Sequence, residues 1–172
     1  MTPSGAPDGA RAAAAARMAT ADPGGAARAG DTRVRDALRR AMIARIATVS
    51  ASGGPLIMPL YFVVLDGRIY MNNAATSPTV RNIAARPHVL VLFEGRDGEV
   101  VRVRGTARYL RDAATMRRVT RASLPKYVLR PRALWFWLRN LSRVSTRSQY
   151  TRERTDTGMI EVTPESYAVG TA

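Results

Sequence analysis

Between residues 44 and 110 the chain alternates short apolar runs with tight turn signals, and one brief stretch has helical spacing. The first run is Ala44–Ser50, followed by Ala51-Ser52-Gly53-Gly54 and a long return through Pro55–Leu65. Asp66-Gly67, a strong hairpin signal between apolar runs, leads into Arg68–Asn73. Ser77–Arg86 has the apolar spacing of a small helix, with Val80, Ile83 and Ala84 on its stripe. His88–Glu94, a turn at Arg96-Asp97-Gly98 and the long run Glu99–Leu110 complete the pattern. Five strands joined by hairpins in so short a span predict an antiparallel sheet closed into a barrel.

Two strands carry more detail. In Glu99–Leu110 the two-residue period places Val101, Val103, Gly105, Ala107 and Tyr109 on one face and Arg102, Arg104, Thr106 and Arg108 on the other. The apolar face belongs to the core; the arginines are either solvated or arranged around an anion. Pro55–Leu65 does not alternate, which predicts cover on both faces. Pro59 at its middle predicts a bulge or an interrupted edge, equally suited to a barrel corner, a planar ligand or a second copy.

Outside the barrel the pattern changes. Residues 1–30 are rich in Ala, Gly and Pro with few large apolar side chains, too few to offset the entropy of ordering, and are expected to be a disordered tail. A helix is expected from Asp31 or Thr32, with Val34, Leu38 and Ile43 on one side. Residues 31–172 then form one domain with a basic helical insert at 111–154. Within it, a helix at Asp112–Ser123 is expected to break at Leu124-Pro125, and another to begin at Pro131.

Composition narrows the chemistry. The chain of 172 residues contains no cysteine, which excludes disulfides, a thiol nucleophile and cysteine zinc sites. No run approaches the roughly 20 apolar residues of a spanning helix, and the N-terminus lacks a signal-peptide core, so a cytoplasmic location is expected. The net charge of +14 is carried by arginine, Lys126 being the only lysine. Its distribution matters more than its size: residues 102–154 hold fourteen Arg and Lys126 against Asp112 and Glu153. Such a stripe attracts an anion, a nucleic acid or an acidic membrane surface.

The sharpest local chemistry lies at residues 72–82. Ser77 fits an N-cap and Pro78 the first helical position. A helix N-terminus with free N–H groups is an anion site, and the Ser77 and Thr79 hydroxyls and the Arg81 guanidinium would add donors for a phosphate. An ordinary capped helix explains the same residues. His88 stands alone at a strand start, and no His/Asp/Glu cluster suggests a metal. Trp135, Phe136, Trp137 and Leu138, flanked by arginines, would pack on the barrel or a second copy, cover a site for a bulky apolar substrate, or touch a membrane surface.

The order of these elements resembles the pyridoxamine 5′-phosphate oxidase-like split β-barrels, the flavin/deazaflavin-dependent oxidoreductases. The resemblance rests on an ATVS-x-x-G-x-P opening hairpin, DGRIY, an S-x-x-x-RN-I-x-x-x-P helix and R-V-x-G-T-A, over about residues 36–110, with Gly158–Thr163 as the last barrel strand. It implies a mainly β fold with flanking helices: a six- to seven-stranded antiparallel split barrel with a helix between strands three and four. It also implies a homodimer binding FMN or the deazaflavin coenzyme F-420 in grooves between subunits, for hydride transfer to a small or lipophilic organic substrate. Carried onto this chain, the flavin ring lies along Met58, Pro59, Leu60 and Tyr61. The phosphate lies at Asn72, Asn73, Ser77, Thr79, Arg81 and Asn82, with support from Arg102 and Arg104. Ser77 and Thr79 stand where many members carry a basic pair. Trp135 and Trp137 are the candidate substrate pocket. The alternative is a cofactor-free barrel that binds an anionic partner through its basic segment. A nucleic acid is disfavoured because the aromatics cluster instead of spacing along a groove.

Overall fold

A computed structural model describes residues 26–95, 98–127 and 156–171. The basic segment's second half, with Trp135 and Trp137, lies outside the described residues, as does the tail before Ala26. In chain order the elements are β1 (Ala26–Ala27), α1 (Thr32–Arg40), β2 (Ile43–Val49), β3 (Pro55–Leu65), β4 (Arg68–Ala74), α2 (Pro78–Ala85), β5 (His88–Glu94), β6 (Glu99–Leu110), α3 (Ala113–Tyr127) and β7 (Thr157–Thr171). All pairings are antiparallel. The order β7-β4-β3-β2-β5-β6 closes through β6 back onto β7, giving the expected six-stranded barrel, and β1 adds an outer pair to β7.

The core fills the barrel as the alternation requires. Ala44 and Ile46 of β2, Val91 and Phe93 of β5, Val101 and Val103 of β6, and Ile160 and Val162 of β7 are buried together with Phe62, Ile69 and Met71. The two short helices close opposite ends. Asp31 caps α1, accepting the Arg33 N–H at 2.8 Å, and Val34, Ala37 and Leu38 face inward. Ser77 caps α2 as anticipated, with Pro78 at its start, and Val80 and Ile83 close the other end. Helix α3 lies outside the barrel, where Val119 packs with Val63, Tyr70 and Met159.

Several expectations are corrected. Ala26 and Ala27, assigned to the tail, pair with Ala168 and Tyr167, because β7 continues far enough to offer them an edge. That strand does not stop at Thr163. It runs through Pro164 to Thr171, because a register shift at Arg104/Gly105 absorbs the proline, which falls after β7 has left β4. Ile43 is not on the helical side but opens β2 at 47% exposure. The α2 stripe rotates: Thr79 and Asn82 are buried with Val80 and Ile83, and Ala84 is exposed.

Helix α3 carries Pro125 inside it and ends only at Tyr127. The missing N–H falls in the last turn, and Tyr127 and Lys126 fasten that turn to the barrel. The Tyr127 hydroxyl accepts the Phe62 N–H at 2.9 Å and lies 2.6 Å from the Phe62 carbonyl oxygen; the Lys126 ammonium donates to the Leu38 carbonyl at 3.3 Å. Pro59 makes no bulge. It faces Arg45 in an unbroken register from Ile43↔Tyr61 to Val49↔Pro55. Nor is β3 covered on both faces in one copy, since Tyr61 is 57% exposed on the outer side.

Candidate functional site

Strands β3 and β4 part after the Phe62–Met71 pair, while β4 goes on along β7 to Ala74, and this opens the barrel on one side. Strand β3 pairs with β2 from Pro55 to Tyr61, but with β4 only at Phe62–Leu65. In an antiparallel ladder alternate residues bond to alternate neighbours. The Ser50 N–H donates to the Gly54 carbonyl at 2.8 Å, and the Phe62 N–H and carbonyl meet Tyr127 beyond the start of β2. Even-numbered residues of this stretch therefore bond towards β2, and odd-numbered ones face the split. Ile57 and Tyr61 offer N–H and carbonyl groups there; Pro55 and Pro59 offer carbonyls only. This explains Pro59: its missing N–H lies on an edge with no partner strand among the described residues. Side chains alternate as well. Met58 and Leu60 pack against the core, leaving Pro59 and Tyr61 on the outer face.

Asn72 and Asn73 lie on β4 beyond its pairing with β3, and the chain then turns into α2. The helix N-terminus is more self-satisfied than expected. Pro78 has no N–H, Val80 donates to the Ser77 hydroxyl at 3.2 Å and Arg81 to the Ser77 carbonyl at 3.2 Å, which leaves the Thr79 N–H. Arg81 is exposed, and its guanidinium donates to the Thr76 carbonyl at 3.1 Å. Asn82 is committed inward, donating to the Thr48 hydroxyl at 3.1 Å and tying α2 to β2. Asn73 accepts the Ala74 N–H at 2.9 Å, and its carbonyl accepts from the Tyr109 hydroxyl at 3.1 Å.

Among the described residues, three buried side-chain polar atoms lack a hydrogen-bond partner: Asn73 Nδ2, Thr79 Oγ1 and Arg102 Nε. Each can donate. Leaving a buried donor unmet costs about 1–3 kcal/mol, so such atoms call for a reason. Thr79, at the start of α2, is fully enclosed. Arg102 lies on the outer face, opposite Leu92 of β5, with exposed Arg104 opposite Leu90. That outer face is largely apolar. Across β2 and β3 it pairs Ile43 with Tyr61, Arg45 with Pro59, Ala47 with Ile57 and Val49 with Pro55; Ile43, Val49 and Tyr61 are well exposed, and Arg45 is ion-paired with Glu94.

One cluster escaped the sequence reading. Glu161 on β7 is 3% exposed and accepts from Arg68 at 2.7 Å, Arg108 at 2.7 Å and the Tyr70 hydroxyl at 2.9 Å. Burial by itself raises the Glu161 carboxyl pKa; the hydrogen bonds from Arg108 and Tyr70 and the two arginine charges outweigh it and hold the pKa below its ordinary value. Burial, and then the bond to Glu161, push the Tyr70 phenol up. The available signal was a single acid inside the apolar run Met159–Val162, facing an arginine-bearing strand.

No helix among the described residues is long and apolar enough to cross a membrane. The sequence profile of the pyridoxamine 5′-phosphate oxidase family matches residues 30–168, so the chain belongs to that family. No curated protein matches it. Solved structures share the fold at low identity. A conserved hypothetical protein from Mycobacterium tuberculosis superposes with a TM-score of 0.60 at 16% identity, covering 83% of this chain and 84% of the other. An F-420 reductase gives 0.53 at 19%, over 77% and 93%. HutZ, the heme storage protein from Vibrio cholerae, gives 0.55 at 14%, over 80% and 91%.

Proposed function

We propose that this member of the pyridoxamine 5′-phosphate oxidase family is an oxidoreductase that binds a flavin-type cofactor, FMN or the deazaflavin F-420, at the split beside β3, and passes hydride to a small or lipophilic organic substrate. One observation carries the reading: two orphaned buried donors, on Asn73 at the end of β4 and Thr79 at the start of α2, belong to residues already expected to hold the cofactor, whereas Arg102 lies on β6, away from the split. A phosphate or a ring carbonyl supplies the acceptors they lack. Such a cofactor supplies the hydride chemistry when bound.

The chain's own residues bind and orient. The Ile57 and Tyr61 N–H groups and the Pro55 and Pro59 carbonyls on the free edge of β3 match the donor and acceptor rim of a planar heterocycle. Asn73, Thr79 and Arg81 answer a phosphate at the start of α2. Ser77 acts on the backbone, as the cap, and Asn82 through Thr48. The bare outer face of β2 and β3 fits a second copy, which would exclude water from a ring lying against Pro59 and Tyr61.

The test is a titration of the whole purified protein with FMN and with F-420, followed by absorbance, for the wild type and Thr79→Val. The substitution removes an unmet hydroxyl at nearly constant shape. It should leave the melting temperature of the cofactor-free protein unchanged or raised, yet weaken cofactor binding by about tenfold. Failure of either cofactor to bind, together with steeply salt-dependent binding of a random DNA duplex, would establish the cofactor-free alternative instead.

A further inference from the structure

We propose that the open mouth of the barrel at the α1 end is a second binding site, for an amphipathic anion with a single apolar tail and a carboxylate-type head. Phe62 and Val64 are both inward-facing positions of β3 by the two-residue period, yet Phe62 is 2% exposed and Val64 is 38% exposed. Phe62 is covered by the Phe93 ring and the Lys126 ammonium, whereas Val64, beside the β3–β4 turn, stays open. What is left is a groove of about 470 Å³ with Leu38, Val64 and Ile69 along it. That is a ligand-sized volume, and barrel mouths are a recurrent place for such sites.

The charges at its rim are all of one sign. Arg35, Arg39 and Lys126 line the groove, and among the described residues no Asp or Glu does. Arg39 is held by Asp36 at 3.0 Å. The Arg35 guanidinium has no hydrogen bond or ion pair among the described residues. The Lys126 ammonium stands 3.3 Å from the centroid of the Phe62 ring, which draws the cation against the apolar wall. A tail along Val64 and Ile69 and an anionic head between Arg35 and Lys126 satisfy both features; a neutral or cationic ligand satisfies only one. The groove adjoins Gly67 in the β3–β4 turn, whereas the split lies along Pro55–Tyr61 and α2. The two sites are thus separate, and this inference does not rest on the cofactor reading.

Calorimetric titration of the full chain with laurate and with dodecyltrimethylammonium, both below their micelle concentrations, separates the possibilities. Laurate should bind and its cationic counterpart should bind at least about tenfold more weakly. Arg35→Glu, on the exposed side of α1, and Val64→Glu should each weaken laurate by about tenfold or more. Melting curves check folding, and should Val64→Glu fail to fold, Arg35→Glu decides alone. Equal binding of the two amphiphiles, or no laurate binding, overturns the proposal. A shift of Trp135 and Trp137 emission in Val64→Glu without ligand also overturns it, because the chain's own segment after Tyr127 would then be the occupant.

Discussion

Tyr70 and Glu161 stand directly opposite one another in the β4–β7 ladder, and the phenol hydroxyl donates to the buried carboxylate at 2.9 Å. Arg108 faces the same acid from β6 across the β6–β7 ladder, and Arg68 reaches it from two residues along β4. The acid joins three strands on the outer surface of the barrel where closure occurs, and its charge is fully answered.

That arrangement sets a pH dependence. The Glu161 pKa is lower folded than unfolded, so its contribution to stability is complete above the unfolded value. It is lost as pH falls through the folded one. Glu161→Gln should cost about 1–3 kcal/mol at neutral pH and flatten the acid limb of a stability-against-pH curve. Denaturation of both proteins from neutral to strongly acidic pH checks this; an unchanged acid limb would assign it to other carboxylates.

Gly105 is fixed by backbone approach. A Cβ there would press into the Thr163 carbonyl and the Pro164 Cα, at the register shift that lets β7 continue. Neither neighbour is a side chain that could swing away. Gly105→Ala should destabilise the barrel by about 1–3 kcal/mol or more, while Gly30→Ala, with open space around it, should be near neutral. Urea denaturation of both compares them directly.

Arg81 offers the cation nearest the start of α2, and in the structure it is spent on a surface carbonyl. A charge-assisted bond to a cofactor phosphate is worth about 1.5–3 kcal/mol, roughly ten- to hundredfold in affinity. Arg81→Ala should weaken FMN or F-420 binding by that factor without lowering the melting temperature. Unaltered affinity would remove Arg81 from the site.

The outer face of β2 and β3 should be covered by a second copy. Sedimentation at micromolar concentration is expected to report about twice 18.7 kDa. Placing a charge at two exposed apolar positions, Ile43→Asp with Val49→Asp, should shift the mass to that of one chain and weaken cofactor binding along with it. A monomeric wild type would dismiss the shared site.

Much of the fold was legible because its signals are local. Asp66-Gly67, Ser77-Pro78 and the alternation of Glu99–Leu110 specify a hairpin, a helix start and a strand face whatever surrounds them. The sequence by itself therefore determined the order of strands, the inward valines of β6 and the residues gathered around α2. Tertiary structure decided the rest, because each remaining point depends on a partner distant in sequence. Pro59 was ambiguous until β4 proved to part from β3 after Met71 and follow β7 instead. Pro164 looked like a strand end until Gly105 gave it room. Thr79 and Asn82 turned inward only because Thr48 and the barrel end lay beneath them. Glu161 became a buried anchor because closure brought Arg68, Tyr70 and Arg108 onto one acid, a convergence that hydrophobic periodicity along a single strand does not contain.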